Sequence, residues 1–317
     1  MTTIARILRR ESTGLVVVLA ALILVFGLST GHFVSRVTLL TIANQVPALT
    51  MAAVGMTLVI ITGGIDLSVG SVMACAAAVL AVALTEWQWP LPVALAAATA
   101  CGMLSGLFNG LVAVRFSVPS FIVTLGTLEI ARGLAYLVTD SRSVFVGARL
   151  DAIGAPWPWL GVSTAVLVAL TTVLLAQMLL TRTVFGRYVV AIGTNREAVR
   201  LAGIDPRPVE IAVFALAGIL AGVAGVFHVA YLESADPNAG LGLELSAIAA
   251  VVIGGSSLMG GRGSVVGSFL GVLIIAVLQA GLAQAGASEP LKRVVTGAVI
   301  VAAVVVDGWR RRRRAVA

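Results

Sequence analysis

The sequence predicts an all-α integral membrane protein of about ten transmembrane helices (range 8–10). Both termini are expected in the cytoplasm, and glycine-broken helices are expected inside the bundle. Three observations support this. Of 317 residues, 59% are hydrophobic and only 11% are charged, against roughly 25% charged in a soluble domain. The apolar runs are continuous over about the 20 residues a bilayer needs, rather than alternating with period two as in a barrel. Arginines gather beside the runs instead of within them, the usual mark of cytoplasmic flanks.

Ten apolar segments follow in order: 14–30, 44–62, 67–85, 91–114, 119–139, 160–181, 208–232, 243–258, 263–284 and 291–308. Arg6, Arg9 and Arg10 precede the first, and no small-x-small cleavage pattern follows it, so it is expected to stay as a span. With the N-terminus inside, ten crossings also place Arg115, Arg182, Arg187, Arg196, Arg200, Arg207, Arg262 and Arg310 to Arg314 in the cytoplasm. An odd count would put the basic tail, 309–317, on the wrong side. No soluble domain or linker interrupts 1–317, which is expected to be one transmembrane domain.

Composition also excludes classes. The net charge of +7 sits against spans, which argues for a membrane-lipid surface and against nucleic acid. Cys75 and Cys101 each lie inside an apolar run, with no pattern for zinc or a disulfide framework; no metal site is expected. Lys292 is the only lysine, so no phosphate-binding Walker A motif exists in this chain. No catalytic residue is assigned, because His228 has no evident partner for intramembrane hydrolysis.

Three stretches carry the chemistry. In "TGGIDLSVGS" (62–71), Gly63 and Gly64 free the backbone to turn. Asp66 is expected to cap a helix beginning at Leu67, with Ser68 beside it; alternatively it faces a polar path or an interface. "AVVIGGSSLMGGRGSVVGS" (250–268) echoes the pattern with Gly254, Gly255 and Ser256, and paired glycine-interrupted segments point to a transporter's pathway. In "TRTVFGRYVVAIGTNREAVRLAGIDPRPVE" (181–210), Asn195 is expected to cap a short helix from Arg196 to about Ala202, closed by Gly203 in the left-handed conformation. Such a helix outside the membrane is a docking element.

Other polar groups stand singly. Glu129 and Arg132, three apart, are expected to pair on one helix face as a structural or gating bridge, with substrate contact as the alternative. Asn109 either bonds another helix or lines the path. Asn44 is expected near the outer mouth. Gly102, Gly106 and Gly110, Gly218 and Gly222, and Gly267 and Gly271 recur every four residues and mark close helix packing.

At these residues the chain resembles the membrane permease subunits of ribose/xylose/arabinose/galactoside-type ABC importers. The resemblance spans roughly residues 40–307. It is carried by "VGMTLVIITGGIDLSVGS", "VPSFIVTLGTLEIARGLAYLVT", "FGRYVVAIGTNREAVRLAGI" and "ELSAIAAVVIGGSSLMGGRGSVVGS". It implies a permease in the bacterial cytoplasmic membrane, paired with a second copy or a paralogue. Cytoplasmic ATPase subunits would hold ATP and Mg, and a periplasmic or extracellular binding protein would deliver a monosaccharide. It further implies that the loop of about 182–208 couples to the ATPase through Gly193, Asn195, Glu197, Ala198, Gly203 and Ile204. Val199 replaces the second alanine of the family's EAA pattern. The alternatives are a permease for branched-chain amino acids or another small polar solute, and an ion-coupled secondary transporter. The last would favour more intramembrane carboxylates than Asp66 and Glu129.

Overall fold

The computed structural model describes the backbone of residues 3–316 and the side chains of residues 13–299, 301, 302 and 305. The terminal arginines, Arg6, Arg9, Arg10 and Arg310 to Arg314, fall outside the described side chains. In chain order come α1 (Thr3–Thr30), α2 (Arg36–Gln45), α3 (Pro47–Ile61), α4 (Val69–Thr85), α5 (Leu91–Phe116) and α6 (Ser120–Val138). Strand β1 (Val144–Phe145) and α7 (Asp151–Gly154) lead to α8 (Thr164–Arg182), α9 (Val184–Thr194) and α10 (Arg196–Leu201). Then follow α11 (Arg207–Leu232), β2 (Ser234–Ala235), α12 (Leu243–Ile253), α13 (Val265–Gln284) and α14 (Glu289–Val316).

Each predicted apolar segment contains a helix, but they are not ten equal spans. Among the described residues, six helices are long and apolar enough to cross a membrane: α1, α5, α6, α8, α11 and α13. A seventh arises if α2 and α3 count as one span, bent by 46° where Pro47 opens α3. The chain is a multi-pass membrane protein. Helix α4 has 17 residues and α12 has 11. At 1.5 Å per residue they rise only about 26 and about 17 Å, short of a hydrocarbon core of about 30 Å. Irregular chain at 62–68 precedes α4, and a turn segment at 237–242 precedes α12.

Glycine sets where these helices stop. Gly63 adopts φ +85°; its amide donates to the Ile60 carbonyl at 2.9 Å, and the Gly64 amide to the Val59 carbonyl at 3.0 Å. This pair of bonds is a Schellman motif, which satisfies carbonyls that a helix end otherwise leaves free. Gly255, at φ +90°, closes α12 identically: its amide reaches the Val252 carbonyl at 2.9 Å, and the Ser256 amide reaches Val251 at 3.1 Å. The sequence echo is therefore structural, with a register shift. Gly63 is the first glycine of its pair and Gly255 the second, so Gly64 corresponds to Ser256.

The two short helices begin beside each other. A methyl on Gly70, in the first turn of α4, would strike the Gly240 carbonyl and come within 2.5 Å of the Glu244 carboxylate on α12. Helix α4 is buried along its length except at Val79 and Thr85, consistent with a helix that is apolar all round. Helices α5 and α11 meet through glycine. Gly102 lies on the Gly218 carbonyl, Gly106 on the Phe214 carbonyl, and Gly110 on Ile211. Without side chains at these points the backbones approach closely, and dispersion contacts replace lipid. Strands β1 and β2 pair antiparallel, Val144 opposite Ala235.

Candidate functional site

Helix α10 forms where its caps direct it. Asn195 Oδ1 accepts the Ala198 amide at 3.0 Å and opens α10. Gly203, at φ +81°, closes it through bonds from its own amide to the Arg200 carbonyl and from the Ile204 amide to the Val199 carbonyl, 3.0 and 3.2 Å. Glu197 pairs with Arg200 at 2.6 Å. Arg196 clamps α10 to the first turn of α11, donating to both Glu210 oxygens at 2.7 and 3.0 Å, and this carboxylate holds the guanidinium further above its ordinary pKa. Val199 is buried, whereas Glu197, Ala198, Leu201 and Gly203 face outward.

The loop contains a second helix, α9, where the sequence suggested a single short one. Thr183 Oγ1 accepts the Gly186 amide at 3.1 Å and caps it. Gly186 lets α9 turn tightly against the Leu180 carbonyl at the end of α8. Near the other end of α9, a methyl on Gly193 would overlap the Ile61 carbonyl and lie 2.5 Å from the Gly261 amide nitrogen. That amide itself donates to the Ile61 carbonyl at 2.8 Å. A methyl on Gly260, at φ +82°, would lie 2.8 Å from the Gly193 carbonyl and 3.1 Å from the Gly63 Cα. The end of α9, the end of α3 and the glycine turn after α12 thus meet without an intervening side chain.

Asp66 is buried, but it is not the N-cap of a helix starting at Leu67. Helix α4 starts two residues later, with Ser68 as its N-cap residue. Asp66 Oδ1 instead accepts the Ser68 amide at 2.8 Å and the Ser68 hydroxyl at 2.6 Å, an Asx turn that lets the break run on past the glycines. Asn109 of α5 donates to the Ser68 hydroxyl at 3.0 Å and accepts from Thr127 of α6 at 2.5 Å. All four residues are buried. Of the two roles left open for Asn109, hydrogen bonding between helices is the one seen. Helix α6 also supplies acceptors to the irregular chain: the Ile65 amide reaches Ser120 Oγ at 2.9 Å, and the Leu67 amide reaches Thr124 Oγ1 at 3.1 Å. Sequence reasoning missed these hydroxyls. Their spacing at 120, 124 and 127 marks one helix face and was the available signal.

The second break is held differently. Ser264 caps α13 by accepting the Gly267 amide at 3.2 Å, and Gln177 Oε1 of α8 accepts from the Ser264 hydroxyl and the Val266 amide at 3.3 and 3.2 Å. Gly254 packs directly on Gly267. Ser256 Oγ is buried and has no hydrogen-bond partner among the described residues.

Two expectations are corrected. Glu129 and Arg132 do not pair. Arg132 turns its guanidinium to the carbonyls of Pro237 and Ala239, at 2.5 and 2.7 Å, because the turn before α12 offers backbone acceptors that no helix satisfies. Glu129 is exposed. Asn44 is buried rather than lining a mouth; it accepts the Ser163 amide at 2.8 Å and donates to the Gly161 carbonyl at 3.0 Å, fixing the turn before α8. The structure therefore joins Asp66, Ser68 and Asn109 in one network, and Gly193 with the glycine turns in another. Asn44 and Glu129 belong to neither.

Residues 38–304 match the family model described as branched-chain amino acid transport system / permease component. The chain is 40% identical over 308 residues to the ribose import permease protein RbsC of Escherichia coli (strain K12), covering 95% of this chain and 94% of that protein. It is 38% identical over 271 residues to the galactofuranose transporter permease protein YtfT of the same organism, covering 85% and 79%. It is 32% identical over 310 residues to the fructose import permease protein FrcC of Rhizobium meliloti, covering 93% and 85%.

Proposed function

We propose, from the premise that this chain belongs to the branched-chain amino acid transport system / permease component family, that it forms the membrane path of an ATP-driven importer for a monosaccharide. It is a transport component rather than an enzyme. Cytoplasmic ABC ATPase subunits, which carry ATP and Mg, supply the energy, and an external sugar-binding protein delivers the substrate. A second copy or a paralogue completes the path, and the assembly sits in the bacterial cytoplasmic membrane. The whole of 1–317 acts as one permease domain that crosses the bilayer ten times, with both termini inside. In this topology α4 and α12 cross with the help of their irregular flanks.

One observation carries the reading. An exposed, doubly capped helix, α10, projects from the bundle, and its base touches the ends of α3 and the α12 turn through Gly193. Movement imposed on α10 by an ATPase reaches both helix breaks through backbone contact. Glu197, Ala198, Leu201 and Gly203 form the docking face, and Asn195 and Ile204 shape it.

The printed family description favours a second substrate class, branched-chain amino acids. The full-length relatives named above favour sugars. Arg132, the cation inside α6, gives one guanidinium nitrogen to two backbone carbonyls before α12, a structural use of that side chain.

The test is recruitment. The chain, reconstituted in lipid nanodiscs with the ATPase encoded beside it, should retain that ATPase, whereas Glu197→Arg combined with Leu201→Asp should lose it. Hydrolysis should rise with a sugar-loaded binding protein and not with a leucine-loaded one. An ATPase that never binds the folded wild-type chain would remove the proposal.

A further inference from the structure

Glu129 is the central residue of α6, with nine helical residues on either side, and its side chain is exposed. Helix α6 is one of the six able to cross a membrane. Arg132, one turn away, is committed to the Pro237 and Ala239 carbonyls. Among the described residues Glu129 therefore has neither an ion pair nor a hydrogen bond. A carboxylate held at mid-bilayer against acyl chains is strongly unfavourable, and ionisable groups at that depth face water or a bundle interior. The interior of this chain lies on the opposite side of α6, where Thr124, Thr127 and Ala131 are buried. A polar space must then lie against the outer face.

Of the neighbours of Glu129 on that face, Ile122 and Leu125 are 50% and 46% exposed and form an apolar part of the wall, and two glycines leave room beside the carboxylate. Gly126 and Gly133, one turn to either side, have open space where a Cβ would stand. Further along the same face, Tyr136 donates to Asn238 Oδ1 at 2.5 Å. At a different angle, Ile130 and Leu134 are 56% and 46% exposed and suit acyl chains.

We infer that this face of α6 walls a water-filled translocation path closed by a second copy of this chain, and that Glu129 accepts hydrogen bonds from substrate hydroxyls there. The inference rests on the permease reading above. The two oxygens of a free carboxylate accept from adjacent hydroxyls of a polyol, the geometry a monosaccharide presents.

Two measurements on the full chain in its membrane test this separately from ATPase recruitment. In a Cys75→Ala, Cys101→Ala background that still takes up sugar, single cysteines are placed at 129, 133, 130 and 134. They are then treated with a charged methanethiosulfonate, which reacts with thiolate in water. Glu129→Cys and Gly133→Cys should be modified at least tenfold faster than Ile130→Cys and Leu134→Cys; equal rates overturn the water-lined face, whether or not an ATPase binds. With the loaded binding protein saturating, Glu129→Gln should lower the rate of sugar uptake at least tenfold while ATPase recruitment is retained. Uptake by Glu129→Leu at the wild-type rate overturns the substrate contact.

Discussion

The amide and hydroxyl of Ser68 both end on one oxygen of Asp66. Removing that oxygen leaves two buried donors without an acceptor, each costing about 1–3 kcal/mol. Asp66→Leu should therefore lower the thermal midpoint in detergent markedly. Asp66→Asn, which keeps an oxygen in place, should cost about 1 kcal/mol or less. Thr127→Val should fall between them, since it removes one short bond to Asn109. Equal midpoints for all three would show that the network does not support the fold. The sequence marked Asp66, Ser68 and Asn109 because polar residues in apolar runs demand a reason. It did not mark their partners, because Ser120, Thr124 and Thr127 look like ordinary small residues of a packed membrane helix. Glu129 misled for a related reason: spacing permits a pair with Arg132, but the backbone acceptors that captured the guanidinium lie about a hundred residues away in sequence.

Elements were legible wherever local rules decided them. Asn195 and Gly203 bound α10 as capping preferences dictate. Helix α9 was hidden because Gly186 and Gly193 weigh against a helix locally, and only tertiary contact explains both. The clamp from Arg196 to Glu210 is half exposed, with side-chain exposures of 51% and 14%, so it contributes at most about 1 kcal/mol to stability. Its expected role is to orient α10. Arg196→Ala should speed hydrogen–deuterium exchange across 196–204 while leaving the midpoint almost unchanged; unchanged exchange would remove that role. The α5–α11 contact is less tolerant. Gly106→Leu would drive a side chain into the Phe214 backbone and should abolish monodisperse expression, whereas Gly126→Leu, which faces open space, should not.

Across the whole molecule, every predicted apolar segment yielded a helix, but length alone did not show which were full crossings. Segments 67–85 and 243–258 look like spans by composition. The structure shortens them to α4 and α12, because Asx and Schellman turns consume residues that a helix would otherwise use. The resulting contact between Gly193, Ile61 and Gly261 joins the α9–α10 segment to both breaks. Gly193→Ala should keep the ATPase bound and its basal hydrolysis intact but lose most of the stimulation by a loaded binding protein; full stimulation would show that force does not pass through this contact.

The most direct measurement is uptake of a labelled monosaccharide into liposomes that hold the complete assembly. Ribose, galactofuranose and fructose would be offered in turn with the neighbouring binding protein, and with ATP sealed inside. The account predicts accumulation of one sugar above its external concentration, dependent on ATP and lost in Gly193→Ala. Accumulation driven by an ion gradient without ATP, or of leucine in place of every sugar, would contradict it.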